Sequence, residues 1–116
     1  NKTREKERKM KKMAELIENI SSLSDGLLFK LGATAGQLAE YYDHLVYQDD
    51  ARDYEDYNSN RKAMKLARHY RNEVAYEAKR RGPQFILKYK NYRPAPFLTH
   101  FDGIDFILID YEKDAA

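Results

Sequence analysis

The sequence contains no cysteine among its 116 residues. Disulfide bonds, thiolate nucleophiles and cysteine-ligated metals are therefore excluded, and the absence fits a reducing compartment. No apolar run approaches the roughly 20 residues that span a bilayer, and the charged N-terminus lacks the apolar core of a signal peptide. No glycine-rich phosphate loop follows a predicted strand. We expect a cytoplasmic protein that uses no cofactor. Because its first residue is not Met, we also expect a processed chain or a piece of a longer one.

Charge is abundant but is separated into blocks along the chain. Residues 1–12 carry seven Lys or Arg against two Glu, residues 48–57 carry five acids against one Arg, and residues 61–81 carry eight Lys or Arg against two Glu. The formal net charge of +2 is too small to indicate a nucleic-acid binder by itself. The blocks therefore matter more than the total.

The clearest predicted helix covers residues 60–82, and its faces are well separated. At about 100° per residue, apolar residues fall on one side and a basic stripe falls on the other. Asn58, Ser59 and Asn60 offer N-terminal caps, and Gly82 followed by Pro83 predicts a left-handed C-terminal cap. The basic stripe consists of Arg61, Lys65, Arg68 and Lys79, with Asn72 between them.

Three interpretations of this basic stripe remain open. Lys and Arg on one helix face suit a phosphate backbone, because each contact releases condensed counterions. A solvated charged face is equally typical of a surface helix, and the acidic segment 49–56 can fold back and neutralise it. The third interpretation is an acidic protein partner.

The N-terminal part, residues 1–57, is predicted to be helical, with residues 1–12 as a solvated basic arm. Met10, Met13, Ile17 and Ile20 recur at the spacing of a coiled-coil seam in a helix over residues 3–21. The alternative is an ordinary helix packed on its own domain. Ser24 or Asp25 can cap a second helix, and Thr34 with Gln37 fits a capping box for a third. We therefore expect a turn between short helices in this region.

After Pro83 the apolar period changes to two, which predicts strands. The strands cover residues 85–92, 97–101 and 104–111, and Asp102-Gly103 supplies a type I′ turn between the last two. The fold class predicted for the single domain 1–116 is α+β. In it, N-terminal helices precede a long amphipathic helix packed on a three-stranded antiparallel sheet, and residues 58–116 form the helix plus the sheet.

No residue pattern predicts an enzyme. His100 and Asp105 face each other across the predicted hairpin, as in a base-and-orienter pair, but no nucleophile motif accompanies them. The acidic cluster in segment 49–56 lacks the spacing and glycine of a calcium loop, so no metal site is predicted. Tyrosines crowd one region, and tyrosine favours half-buried interfaces. These tyrosines are Tyr41, Tyr42, Tyr47, Tyr54 and Tyr57.

Two functions follow from these patterns. The first is a non-enzymatic interaction module that self-associates as a dimer or binds another protein, burying the tyrosine-rich surface and the seam residues Met10, Met13, Ile17 and Ile20. The alternative is a small regulatory nucleic-acid-binding protein that uses Arg61, Lys65, Arg68 and Lys79, helped by the N-terminal lysines.

Overall fold

The described part of the chain is a helical assembly built around one antiparallel pair. The computed structural model describes residues 2–47 and 54–89, with side chains over 7–47 and 57–88. In chain order the elements are helix α1 (Lys2–Glu18), a 3₁₀ turn (Ile20–Ser22), and helices α2 (Asp25–Tyr47), α3 (Tyr54–Arg81) and α4 (Pro83–Tyr89). Helices α2 and α3 form the main packing interface, and no helix over these ranges is long and apolar enough to cross a membrane.

The α2–α3 pair is antiparallel and is packed through small residues. Gly32 lies against Val74, and Gly36 lies against Arg71. Further small residues of the two helices are buried in the same core: Ala35, Ala39, Ala63 and Ala67. Because these side chains are short, the two helix backbones approach closely, and larger residues fill the space on either side. These larger residues include Leu28, Leu31, Leu38 and Met64.

The structure corrects the predicted division of residues 25–47 into short helices. Helix α2 is continuous, and it begins as predicted, with the Leu27 N–H donating a 3.2 Å hydrogen bond to the Ser24 Oγ cap. Thr34 is not a cap; it is buried in mid-helix, and its hydroxyl has no hydrogen-bond partner there. Packing against α3 outweighs the helix propensity cost of Gly36, which is about 1 kcal/mol relative to Ala.

Helix α3 also starts earlier than predicted. Asn58, Ser59 and Asn60 lie inside the helix, which begins at Tyr54 rather than near residue 60. Tyr57 packs against the core from this added segment, so tertiary contact extends the helix beyond the polar residues. At the other end the prediction is confirmed: α3 stops at Arg81, and Gly82 has a φ of +97°.

The α+β fold class is wrong for the described residues, because the first predicted strand is a helix. Residues 83–89 form α4, in which Pro83 occupies the first helical position, where its missing N–H is no disadvantage. Phe85 is buried against the core, whereas Ile86 and Leu87 are exposed. A three-stranded sheet containing residues 85–92 is therefore not formed. The other two strands, the Asp102-Gly103 turn, His100 and Asp105 lie outside the described residues.

We expect Gly32→Ala to destabilise the protein and Gly36→Ala to stabilise it. A Cβ at position 32 would lie 2.8 Å from Val74 Cγ1, closer than packing permits, whereas a Cβ at position 36 would meet Arg71 Cδ at 3.9 Å, an ordinary contact. The expected loss for Gly32→Ala is about 1–3 kcal/mol in the free energy of unfolding. The expected gain for Gly36→Ala is about 0.5–1 kcal/mol, from helix propensity.

Urea unfolding followed by circular dichroism measures both changes. The two substitutions alter helix propensity alike and differ in the space available, so equal shifts of the same sign would contradict the close approach at Gly32.

Candidate functional site

The outer surface of α3 carries the cations that the sequence pattern placed there. Arg61, Lys65 and Lys79 are exposed, and Arg68 is half-buried. The opposite side of the helix is buried in the core through Ala63, Ala67, Tyr70 and Val74. Packing against α2 therefore leaves Arg61, Lys65 and Lys79 on the outer side of the helix pair, with Arg68 at the edge of the α2–α3 interface.

One of the four predicted cations is already neutralised. Arg68 Nη2 donates a 2.6 Å hydrogen bond to Asp43 Oδ1 of α2, and both side chains are about two-fifths exposed. An ion pair this exposed contributes about 0–1 kcal/mol, but it reduces the positive charge at the centre of the stripe. The acid that faces the stripe therefore comes from α2. Asp49, Asp50 and Asp53 lie outside the described residues, as do the side chains of Glu55 and Asp56.

Two further cations flank the predicted stripe. Lys62 and Arg71 are exposed on α3, and neither forms an ion pair within the described part of the chain. The sequence pattern predicted a narrow stripe that did not include them. The apolar period locates the centre of the buried side of a helix, but only the packing shows how wide the exposed arc is. We define the basic face as Arg61, Lys62, Lys65 and Lys79, none of which forms an ion pair with a described residue. Arg71 is not part of it, because it lies about 180° around the helix from Lys62 and packs beside Gly36 of α2.

The two acids of α3 whose side chains the structure describes, Glu73 and Glu77, contribute little to this face. Glu73 is half-buried at its edge. Glu77 is buried and accepts hydrogen bonds from Arg80 Nε and Arg81 Nε, each 3.0 Å long. The C-terminal acid and its two arginines therefore form a structural group separate from the basic face.

Arg81 joins three segments of the chain. Besides Glu77, its guanidinium donates to Asp25 Oδ1 at 2.8 Å and to the Ile20 carbonyl oxygen at 3.0 Å. Desolvation acts to raise the pKa of Glu77, but the hydrogen bonds and positive charges of Arg81 and Arg80 outweigh it and hold that pKa below its usual value. Desolvation likewise acts to lower the pKa of Arg81, and its bonds to Asp25 and Glu77 raise it overall.

The predicted self-association residues lie mostly inside the chain's own core. Met10, Met13 and Ile20 are buried, and Ile17 is half-buried and packs on the same core. Their seam-like spacing is accounted for by packing of α1 within the chain, which was the alternative interpretation. Self-association itself stays a prediction.

The tyrosines divide between core and surface. Tyr42 is buried, and its ring lies edge-on to the ring of Tyr41 with a centroid distance of 5.1 Å. Tyr70 of α3 is also buried. Desolvation raises the pKa of both buried phenols, and Tyr41 adds to the effect at Tyr42. Tyr47 and Tyr76 are exposed, and Tyr76 lies outside the tyrosine-rich region predicted from the sequence. Over the described ranges, no three His, Asp or Glu side chains form a group that can hold a metal ion.

We expect Glu77→Gln to lower the free energy of unfolding by about 2 kcal/mol at pH 7, because it weakens charge-assisted bonds to two arginines. The pKa of Glu77 is lowered by folding, so its contribution is present above the unfolded-state pKa and is lost as the pH falls through the folded-state pKa. The difference between parent and variant should therefore shrink below about pH 5.

Urea unfolding at a series of pH values measures this difference. Glu73→Gln is the matched control, because it removes a carboxylate from the same helix where no ion pair with a described residue exists. It should change the unfolding free energy by less than about 0.5 kcal/mol. A Glu77→Gln effect that is small, or constant with pH, would contradict the assigned network.

No family model matches this chain, and no curated protein or solved structure matches it either.

Proposed function

We propose that the protein binds nucleic acid, without a chemical step, through the basic face of α3. The observation that supports this best is a run of exposed cations, unpaired with any described side chain, on one rigid helix. From Arg61 to Lys79 the face extends about 27 Å at 1.5 Å per residue. The side chains that form it are Arg61, Lys62, Lys65 and Lys79.

The chemistry of this face suits phosphate groups. Lysine offers a compact positive charge with three donors, and arginine offers a planar fork that can hold two phosphate oxygens at once. Each cation that meets a phosphate releases condensed counterions. Packing of α3 against α2 sets the spacing of the cations before a ligand arrives, so binding need not order the helix.

The core placement of the seam residues makes this function better supported than self-association. A dimer built on Met10, Met13 and Ile20 would have to open the packing of the single chain, since these residues are buried within it. A cytoplasmic location belongs to the same proposal, because it agrees with the absence of cysteine.

We expect the double substitution Lys65→Glu with Lys79→Glu to weaken nucleic-acid binding about tenfold or more. The charge-matched control is Lys11→Glu with Lys12→Glu on α1, where both lysines are exposed and Lys12 forms a 3.5 Å surface ion pair with Glu15. Each pair of substitutions lowers the formal net charge of +2 by four, to −2. The control should stay within about threefold of the parent, because its lysines are on another helix. The measurement is fluorescence anisotropy with labelled 20-nucleotide single strands and 20-base-pair duplexes at 100 mM salt.

The salt dependence gives a second readout of the same interface. With four phosphate contacts, the logarithm of the association constant should fall against the logarithm of salt concentration with a slope of about −2.8 for single strands or −3.6 for duplexes. Equal weakening by the two double variants would show that total charge matters and not this face. A parent protein that binds neither probe at 50 mM salt would overturn the proposal.

A further inference from the structure

An aromatic ring stands among the cations of the basic face. Tyr76 is 60% exposed, and it lies one turn before Lys79 and one turn after Asn72 on α3. Its ring contacts no other aromatic ring in the described part of the chain. Tyr70, six residues earlier, is buried in the core, so Tyr70 packs inside the protein whereas Tyr76 faces solvent.

A second flat ring lies on the same line of the helix. His69 precedes Tyr76 by seven residues, which places it about 10 Å away along the axis. It is exposed, and its ring leans on Tyr70 with a centroid distance of 5.8 Å and an interplanar angle of 53°. The basic face thus combines charges for phosphates with exposed ring surfaces.

This combination favours one form of nucleic acid. Proteins that hold single strands pair a basic track along the backbone with aromatic side chains on which unpaired bases stack. In a duplex the flat faces of the bases are covered by their neighbours, so an intact duplex can use the cations but offers Tyr76 no base face.

We propose, resting on the proposed function, that this face binds single-stranded nucleic acid. A base stacks on Tyr76, Lys79 holds a phosphate beside that base, and Lys65, about 16 Å away along the helix, holds a phosphate further along the strand. His69 offers a second, smaller stacking surface. An anionic membrane would also attract the cations, but a helix that lies on a membrane presents a broad apolar face. Tyr76 is the one large apolar side chain exposed on the described part of α3.

The test compares binding of a labelled 20-nucleotide oligothymidylate with binding of a 20-base-pair duplex of mixed sequence, by anisotropy at the same salt concentration. The full chain should bind the single strand at least about tenfold more tightly. Tyr76→Ala should weaken single-strand binding about tenfold and leave duplex binding within about twofold. Tyr76→Phe keeps the ring and should bind as the parent does.

Tyr47→Ala is the matched control, since Tyr47 is equally exposed at the end of α2, away from the centre of α3. It should leave both affinities unchanged, and circular dichroism should show the same helix content in all variants. If the Tyr76→Ala variant lost helix, the ratio of single-strand to duplex affinity in the parent and in Tyr76→Phe would still decide whether the face prefers single strands.

The outcomes separate this inference from the proposed function. Equal affinity for both probes, unaffected by Tyr76→Ala, would overturn the single-strand assignment and leave the basic face as a general phosphate-binding surface. Absence of binding to either probe would overturn both proposals. Binding to vesicles containing phosphatidylserine, without binding to either oligonucleotide, would overturn both as well and identify a lipid surface instead.

Discussion

The close approach of α2 and α3 at Gly32 is the contact on which the rest of the structure depends. The absence of a side chain at that position lets Val74 fit against the α2 backbone. This contact sets the distance between the two helices and therefore the fit of the small and large residues along their interface. Helices α1 and α4 add fewer buried residues to the core than α2 and α3 do. The geometry of the α2–α3 pair therefore largely determines which surfaces of these helices meet solvent.

The packing of α2 against α3 also places the side chains of the proposed nucleic-acid interface. Turning Ala63, Ala67 and Val74 inward leaves the cations of the basic face on the outer side, and one ion pair lowers the positive charge beside them. The half-exposed pair of Arg68 with Asp43 lowers the charge at mid-helix. The buried group of Glu77 and Arg81 secures the C-terminal end. Helix α3 thus carries both ion-paired and unpaired cations, and only unpaired ones enter the proposed interface.

Local signals in the sequence predicted helix ends where a residue type is decisive, and they failed where packing decides. Ser24 and Gly82 act as predicted because a side-chain acceptor and a positive φ are local requirements. The continuity of α2 through Gly36 and the early start of α3 depend on contacts between distant residues. The strand predicted from residue 85 rested on only a few alternating apolar positions. So short a pattern is also compatible with a helix that buries a single residue, here Phe85. Arg61, Lys65 and Lys79 are exposed, as the helical period indicates, but the pairing of Arg68 depends on a residue 25 positions away, which no local pattern reveals.

The guanidinium of Arg81 has a consequence for the order of folding. Its partners Asp25 and the Ile20 carbonyl are 56 and 61 residues away along the chain. Such distant groups meet only after α2 and α3 have formed and folded back on each other, because loop closure precedes the contacts that reward it. Interactions made after the transition state mainly slow unfolding and leave the folding rate little changed. We therefore expect the Arg81 network to slow unfolding more than it speeds folding, because it joins the ends of the helix pair only once they have met.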